Sequence, residues 1–233
     1  MAKNWKIRKD LSIEVYGHTL FRIECTQDFK GIKAGTLGGY IEKEENLDGD
    51  AWVYGDARVC DNARVYDNAR VYDNAQVYDN AQVYDNARVY GDAWVYGNAQ
   101  VYGDAWVCDN ARVYGDARVY DNARVYGNAQ VYGNAQVYGN ARVYGNAQVY
   151  GDEIKSKYDM CYISNRYYNI TITPLHIKIG CQYHAQEAWW NFTDEQIKKM
   201  DGQDALNFWK IWKEPLKQIC DAMKKEKGEK DAE

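Results

Sequence analysis

The sequence predicts a mainly β protein with a three-sided parallel β-helix at its centre, in which three six-residue units make coils of about 18 residues per coil. A valine occupies every sixth position from Val53 to Val149, within the unit Ala-x-Val-Tyr-(Gly/Asp)-(Asn/Asp). Alanine and valine alternate with x and tyrosine, which is the period of a strand. The same spacing leaves no single apolar stripe on an α-helix. A fixed, short period indicates that one small unit stacks on the next.

Each unit is expected to form a four-residue strand and a two-residue corner. Glycine adopts a positive φ without penalty, and aspartate and asparagine tolerate it better than other residues, so all three suit the corner. One such strand cannot bury itself and needs copies above and below it. Three strands per turn is the simplest closed arrangement, and the 17 repeat valines then give nearly six coils.

The repeat places an aliphatic residue four positions before a small one, as in Val53 and Ala57. This pattern resembles the hexapeptide repeat of left-handed parallel β-helices in the hexapeptide acyltransferase superfamily. The resemblance covers residues 51–150 and extends back through Leu47 and Ile41, which keep the register. Left-handed winding is implied by the resemblance and not by the spacing. Ordinary crossovers between parallel strands are right-handed. A right-handed solenoid is the main alternative.

Composition divides the chain into three parts. Residues 1–40 are expected to form an N-terminal β cap with strands over residues 12–15 and 20–23. Residues 41–151 form the hexapeptide-repeat β-helix, and residues 152–233 form a C-terminal α+β element with a charged tail. A cap is expected because a solenoid exposes open strand edges at its ends, and such edges promote aggregation.

The C-terminal part has signals for both strands and helices. Residues 168–173 and 175–180 are expected to form two strands. Thr193 fits the N-cap of a capping box, which predicts that a helix begins there. A second helix is expected from about Gln203, and Pro215 is expected to end or kink it.

Charge and cysteine content limit the classes of partner and compartment. The net charge of −5 argues against a general nucleic-acid-binding surface, which would need a basic excess. No stretch is long and apolar enough to span a bilayer, and the N-terminus lacks the apolar core of a signal peptide. Cys60 and Cys108 fall on different faces, so a disulfide between them is geometrically implausible. We therefore expect a reduced, cytoplasmic protein without a membrane partner.

Two segments outside the repeat add a second resemblance. Residues 35–40 and 176–181, together with the repeat, resemble hexapeptide-repeat proteins carried by bacteriophages and prophages. Such proteins are commonly called transferases on the basis of their repeats, which does not establish activity. The resemblance implies a phage-associated role, such as engaging a component of the host.

Three-fold coiling predicts which side chains stack on the surface. We expect an arginine- and tryptophan-rich face to bind a partner, because exposed aromatic and arginine side chains are enriched where proteins meet. Self-supporting ladders of tyrosine are the alternative explanation, since rings one strand separation apart make favourable offset contacts. The predicted binding residues are Trp52, Arg70, Arg88, Trp106, Arg124, Arg142, Tyr72, Tyr90 and Tyr126.

Corner aspartates are expected to stack as well, for example Asp61 on Asp79. Stacked carboxylates could attract a hard cation such as Ca²⁺. The preferred interpretation is that each aspartate fixes the corner backbone through its own hydrogen bonds. No metal site is therefore predicted.

Catalytic residues are scarce. The enzymes that the repeat resembles use a histidine in a cleft between subunits, but the coils contain none, and the chain has only His18, His176 and His184. His176 and His184 are the two candidates for a general base near neutral pH, and a structural role is the preferred interpretation of His176. Cys161, Cys181 and His184 do not complete a set of four zinc ligands.

The leading hypothesis is a non-enzymatic β-solenoid that acts as a binding or scaffold module and needs no cofactor. Its partner is expected to be another protein or a second copy of the chain. The rival hypothesis is a coenzyme A-dependent acyltransferase of the hexapeptide type, with His176 or His184 as its base. A third hypothesis is the sequestration of a small nucleotide or sugar between packed copies.

Overall fold

The computed structural model describes residues 3–230. It shows a parallel β-solenoid of about six turns of 18 residues, preceded by N-terminal strands and followed by a small sheet and helices. The mainly β, three-sided architecture predicted from the repeat is confirmed. The left-handed winding stays a prediction.

An antiparallel hairpin precedes the solenoid and extends one of its faces. Its turn consists of Tyr16 and Gly17, with φ angles of 50° and 87°. Positive φ at both central residues is typical of the type I′ turn, which matches the twist of the flanking strands. The third strand then pairs in parallel with the solenoid, placing Ile41 opposite Val59. The N-terminal strands are β1 (Trp5–Val15), β2 (His18–Cys25) and β3 (Leu37–Ile41).

Seventeen short strands follow, one for each repeat valine. They are β4 (Trp52–Val53), β5 (Arg58–Val59), β6 (Arg64–Val65), β7 (Arg70–Val71), β8 (Gln76–Val77), β9 (Gln82–Val83), β10 (Arg88–Val89), β11 (Trp94–Val95), β12 (Gln100–Val101), β13 (Trp106–Val107), β14 (Arg112–Val113), β15 (Arg118–Val119), β16 (Arg124–Val125), β17 (Gln130–Tyr132), β18 (Gln136–Val137), β19 (Arg142–Val143) and β20 (Gln148–Tyr150).

These strands are shorter than the four residues expected from the alternation. The tyrosine before the two corner residues and the alanine after them belong to the turn and not to the strand. The amide of Ala57 donates to the carbonyl of Tyr54 at 3.1 Å, which closes a β-turn around the corner. The first corner residue has a positive φ, for example 58° at Gly55 and 56° at Asp61. Only glycine and aspartate stand at this position, as the backbone conformation favours.

The coils stack into three sheets. Face A contains β4, β7, β10, β13, β16 and β19; face B contains β5, β8, β11, β14, β17 and β20; face C contains β6, β9, β12, β15, β18 and then β21 (Glu153–Ile154). Paired residues are one full coil apart, so Arg88 lies opposite Trp106 and Val89 opposite Val107. The repeat valines and alanines are fully buried and form the core of the solenoid.

The last coil is one residue shorter than the others. On face C, Val137 lies opposite Ile154, whereas an exact repeat would place Lys155 there. Asp152 therefore occupies the position that alanine holds on face C from Ala63 to Ala135, and its carbonyl accepts from the amide of Gln136 at 2.9 Å. A carboxylate is thus placed inside the end of the solenoid, where only 1% of the residue is exposed.

The C-terminal element confirms the two predicted strands and the predicted helix start. The amide of Gln196 donates to Oγ1 of Thr193 at 3.3 Å, and the amide of Thr193 donates to Oε1 of Gln196 at 2.9 Å, which completes the capping box. A four-stranded antiparallel sheet packs here against the helices. The elements are β22 (Cys161–Ile163), β23 (Ile170–Ile172), β24 (His176–Ile179), β25 (Gln182–Ala185), α1 (Gln186–Asn191) and α2 (Asp194–Lys230).

Helix α2 contains a break, but Pro215 does not end it. Asp201 and Gly202 have non-helical backbone angles, which agrees with a second helix expected from about Gln203. The helix then continues through Pro215, so the proline does not end it, and a kink at this residue stays a prediction. Proline removes the amide that would donate to the carbonyl of Ile211. Ile211 is 70% exposed, so water can replace that donor. No helix within residues 3–230 is long and apolar enough to cross a membrane.

Candidate binding surface on the solenoid

Face A brings most of the predicted binding residues together in one column. Arg88, Arg124 and Arg142 are exposed, whereas Arg70 and Trp106 are half-buried. The stacking that three-fold coiling predicts is therefore observed for these five side chains. In the order of the sheet the column runs Arg70, Arg88, Trp106, Arg124 and Arg142.

Trp106 is the centre of this column. The Cζ atoms of Arg88 and Arg124 lie 5.3 and 4.5 Å from its ring centroid, on the two neighbouring strands. Such cation–π contacts are favourable, particularly with tryptophan. The ring of Tyr90 meets the indole edge-on at 6.2 Å. The arginine side chains are thus positioned by an aromatic centre rather than left free.

The arginines of face A have no acidic partner within the described residues. Arg70 and Arg88 are direct cross-strand neighbours, and so are Arg124 and Arg142. The nearest polar contact is between Arg70 Nη1 and the hydroxyl of Tyr54, at 2.8 Å. Like charges on directly opposite positions destabilise a sheet. The column therefore presents guanidinium groups without an ion-pair partner among the described residues, although Asp109 lines the same depression as Arg124 and Arg142.

Trp52 does not belong to this surface, although it was predicted to. It is fully buried, and the ring of Phe29 contacts it edge-on at 5.6 Å. The N-terminal segment before β3 folds over the first strand of face A, which sequence spacing alone does not reveal. The indole Nε1 atom of Trp52 has no hydrogen-bond partner within the described chain. The exposed part of the column therefore begins at Arg70.

The tyrosine column of face A is irregular. Tyr72 stacks on Tyr54 with ring centroids 4.6 Å apart. The contact between Tyr126 and Tyr144 is looser, at 5.8 Å and an interplanar angle of 21°. Cys108 replaces the ring between Tyr90 and Tyr126, so the ladder is interrupted there. Burial, followed by a hydrogen bond with Cys108, raises the pKa of Tyr90 to about 12.

Face C carries a regular tyrosine ladder from Tyr66 to Tyr138 and face B one from Tyr78 to Tyr132, as expected if the rings support each other. On face C, Tyr84 stacks on Tyr66 at 4.9 Å and on Tyr102 at 4.8 Å, with interplanar angles of 5° and 3°. On face B, Tyr96 stacks on Tyr78 and on Tyr114, at 4.9 Å each. These rings stabilise each other without a ligand. Face A is therefore the face whose surface is least explained by self-stabilisation.

Corner aspartates have a structural role. Oδ2 of Asp61 accepts from the amide of Asp79 at 3.2 Å, and Oδ2 of Asp79 accepts from the amide of Gly97 at 2.9 Å. Each carboxylate thus satisfies a backbone donor of the next coil, rather than of its own turn as expected. Asparagine side chains at the adjacent corner position form a similar ladder, for example from Asn80 to Asn98 at 3.2 Å.

His176 joins the solenoid to the C-terminal sheet. Its Nδ1 atom lies 2.9 Å from Oδ1 of the buried Asp152. The hydroxyl of Tyr183 donates to Oδ2 of the same carboxylate at 2.9 Å and also to the carbonyl of Tyr150. The imidazole stacks on the Tyr183 ring at 4.7 Å. His176 thus provides a donor to a buried carboxylate, which is a contact expected of a structural histidine.

His184 is packed among aromatic rings. It meets Trp189 and Phe192 edge-on at 5.3 and 5.0 Å, and burial lowers its pKa. A lowered pKa keeps the imidazole neutral near pH 7. Nε2 of His184 lies 3.2 Å from Oε1 of Gln182. Cys161 and Cys181 are both free thiols, as are the other four cysteines.

A histidine–carboxylate cluster on face B was not predicted from the sequence. Nδ1 of His18 lies 3.0 Å from Glu42, and its Nε2 lies 3.4 Å from Asp61. The hydrogen bond to Glu42, then the charge of Asp61, raises the pKa of His18. Potential ligand atoms of the three residues lie within 4.8 Å of one another, so they could hold a metal ion if one nitrogen were released. Glu42 stands at a position where the repeat has tyrosine, and this departure is the sequence signal that could have indicated the cluster.

Comparison with known protein families agrees with this geometry. A model of the YdcK beta solenoid repeat matches residues 57–73, 63–79, 81–97, 117–133 and 135–151. The chain is a β-solenoid repeat protein. No curated protein matches the sequence. In this β-solenoid repeat protein, the matched segments contribute to all three faces, and they lie within the coils that present Arg70, Arg88, Arg124 and Arg142.

Proposed function

We propose that this β-solenoid is a non-enzymatic scaffold whose face A binds the acidic surface of a protein partner. The observation that carries the proposal is the column of arginines, stacked on direct neighbours and around Trp106 without a described carboxylate partner. A carboxylate pairs with guanidinium through two parallel hydrogen bonds. Acidic side chains from a partner would therefore relieve the repulsion within the column.

The other two faces lack this arrangement. On face C, Arg118 lies between Gln100 and Gln136, and Arg64 is followed by Gln82. No two arginines of face C are cross-strand neighbours in the described sheet. The tyrosine ladders of that face are also continuous. Repulsion and an interrupted ladder are thus combined on face A alone among the three described faces.

Trp106 is the proposed energetic centre of the interface. Binding energy concentrates in a few tryptophan, tyrosine and arginine residues near the middle of an interface. Trp106 lies in the middle of the column, with Arg88 and Arg124 beside it. The partner is another protein, or a second copy of this chain, whose net charge of −5 provides acidic surface. A phage or prophage setting belongs to the proposal and is supported by the sequence resemblance.

The experiment compares two triple variants that are matched in charge and exposure. The first replaces Arg88, Arg124 and Arg142 of face A by alanine, and the second replaces Arg64, Arg112 and Arg118 of the other faces. All six side chains are exposed. Co-purifying proteins are quantified by mass spectrometry, and native mass spectrometry reports the copy number.

The face A variant is expected to lose the associated chains, whereas the matched variant keeps them. Equal retention by both variants would contradict the proposal. Circular dichroism of each variant shows whether the solenoid is intact.

A further inference from the structure

Four tyrosine hydroxyl groups of the repeat are satisfied in the same way. Each of these tyrosines reaches the side chain at the x position of the next coil. The partner is either arginine, which donates to the hydroxyl, or glutamine, whose carbonyl accepts from it. The contacts are Arg70 to Tyr54 at 2.8 Å, Tyr66 to Gln82 at 3.2 Å, Tyr114 to Gln130 at 3.2 Å and Tyr120 to Gln136 at 3.3 Å.

No such pair can form at the N-terminal end of face B. Positions 42 and 60 hold Glu42 and Cys60 where the register calls for tyrosine. Their expected partners at the x positions of the next coils are Arg58 and Gln76. Neither side chain forms a hydrogen bond or an ion pair within the described residues, and Nε of Arg58 is shielded from water. A buried polar group without a partner requires an explanation.

A groove of about 480 Å³ lies at the same place. Arg58, Cys60, Gln76, Tyr78 and Trp94 line its solenoid side. Tyr78 has Tyr96 stacked on one face of its ring at 4.9 Å, and the position on the other side belongs to Cys60. A planar ring placed beside Cys60 would therefore continue the ladder.

The hairpin forms the opposite wall of the groove. Val15 and Leu20 contribute apolar surface there, and Tyr16 stands at the hairpin turn, 85% exposed. A ring that enters the groove would thus lie between the hairpin and the solenoid. Enclosure on two sides is what a small aromatic ligand requires for binding.

The carboxylates near the groove already have donors. Glu42 accepts from the amide of Asp61 at 2.6 Å and from His18 at 3.0 Å. Asp61 and Asp79 each accept from the backbone amide of the next coil. Arg58 and Gln76 are therefore two polar groups at the vacant tyrosine positions that a ligand can satisfy. Arg58 supplies only N–H donors, whereas the amide of Gln76 offers a donor and an acceptor oxygen, so the pair favours a hydroxyl group, which can both accept and donate.

Cys60 does not provide a covalent attachment point. Burial, then the charges of Asp61 and Glu42, raises the pKa of this thiol to about 12. The thiol therefore stays protonated near neutral pH, and the thiolate is the reactive form. Any ligand of the groove binds without a bond to sulfur.

We propose that this groove binds a small phenolic compound. Its ring stacks on Tyr78 in the place that a tyrosine ring holds in the other coils, and its hydroxyl accepts from Arg58 and donates to the amide oxygen of Gln76. The second interruption of the ladder, at Cys108, does not offer the same site. The arginine at the x position of the coil after it, Arg124, is already held over Trp106 at 4.5 Å.

The test uses p-cresol, which is the tyrosine side chain without its backbone, and toluene, which lacks the hydroxyl. Binding to the full chain is measured by saturation-transfer NMR titration. We expect saturable binding of p-cresol and an affinity for toluene that is weaker by at least about tenfold, because toluene loses both hydrogen bonds and one alone is worth about 1.4 kcal/mol. N-acetyl-tyrosinamide is expected to bind more weakly than p-cresol, because the hairpin wall restricts the space beside the ring.

Two matched variants locate the site. Cys60→Tyr fills the groove with the residue of the repeat, and Cys108→Tyr makes the same change at the other interruption. Binding of p-cresol is expected to disappear in the first variant and to stay unchanged in the second. Arg58→Ala, which removes a donor without filling the groove, is expected to weaken binding by about tenfold.

Three results would overturn the proposal: no saturable binding to the wild-type chain, equal binding to Cys60→Tyr, or equal affinity for toluene. Tighter binding of N-acetyl-tyrosinamide than of p-cresol would overturn the small phenol as the ligand and indicate a tyrosine side chain of a polypeptide instead. Should Cys60→Tyr not fold, as judged by circular dichroism, the Arg58→Ala titration and the toluene comparison decide the question.

Discussion

Nδ1 of His176 lies 2.9 Å from Oδ1 of Asp152, across the junction between the solenoid and the C-terminal sheet. The carboxylate occupies the position that alanine holds on face C from Ala63 to Ala135, and it is buried. A buried carboxylate is stable only where donors satisfy it. The junction therefore depends on His176 and on the hydroxyl of Tyr183.

His176→Ala is expected to lower the free energy of unfolding by about 1–3 kcal/mol, because it leaves a buried acceptor with one donor fewer. Asp152→Ala restores the residue of the repeat and removes the carboxylate itself. The double variant His176→Ala with Asp152→Ala is therefore expected to be more stable than His176→Ala alone. Urea unfolding followed by tryptophan fluorescence measures all three. The account would be contradicted if the double variant lost as much free energy of unfolding as the two single variants together.

Corner aspartates combine two roles that substitutions can separate. Asp79 has a φ of 57°, and its Oδ2 accepts from the amide of Gly97 at 2.9 Å. Asp79→Gly loses the hydrogen bond but relieves the backbone, whereas Asp79→Ala loses the bond and keeps an unfavourable φ. We expect Asp79→Ala to cost about 1–2 kcal/mol and Asp79→Gly to cost less. Thermal unfolding checks the order, and a glycine variant less stable than the alanine variant would contradict it.

Protonation of His18 is expected to stabilise the contact between the hairpin and the solenoid. The hydrogen bond to Glu42 and the charge of Asp61 raise the pKa of His18 in the folded state above the unfolded value. Its contribution is therefore complete below the unfolded pKa of about 6.5 and is lost as the pH rises through the folded pKa. Cys60 also faces this cluster, and its thiol, with a pKa of about 12, stays uncharged over that interval.

The measurement is the stability difference between wild type and His18→Gln at pH 5.5 and pH 9. The difference is expected to be larger at pH 5.5. His184 provides a control of opposite sign, because burial lowers its pKa in the folded state. For His184 the wild-type chain loses stability relative to His184→Gln as the pH falls below about 6.5. Identical pH dependence of the two variants would show that the assigned environments are wrong.

Repulsion within face A is expected to be measurable in the isolated chain. Arg142→Gln removes one member of the Arg124–Arg142 pair and introduces the alternative residue of the repeat. It is expected to raise the free energy of unfolding by about 0.2–1 kcal/mol at low salt. Arg118→Gln is the control, since Arg118 has only glutamine neighbours on its face. A gain that does not shrink with added salt would not come from charge repulsion.

Sequence spacing was sufficient to predict which residues share a column. The pairing of Arg88 with Trp106 and of Ile41 with Val59 follows from counting in steps of three repeat units. Such counting works because an exact repeat constrains register, and register determines which side chain faces the core. The same reasoning places Cys60 and Cys108 on different faces, where both are free thiols.

Contacts made by non-repetitive segments could not be predicted in this way. Phe29 covers Trp52 because the segment before β3 folds over the first coil, and nothing in the repeat records that path. The cluster of His18 with Glu42 depends on the direction of the hairpin. Asp152 reaches the alanine position only because the last coil is one residue short, which sequence alone presents as the end of the repeat.

Cross-linking between pairs of introduced cysteines tests most directly whether three repeat units make one coil. Gln82→Cys with Gln100→Cys places two thiols at directly paired positions of face C, on neighbouring coils. Gln76→Cys with Gln100→Cys places them on different faces. Dibromobimane bridges only thiols that lie a few ångströms apart and becomes fluorescent when it does. We predict a bridge in the first double variant and none in the second, and a bridge in the second alone would contradict the coil on which every column described above depends.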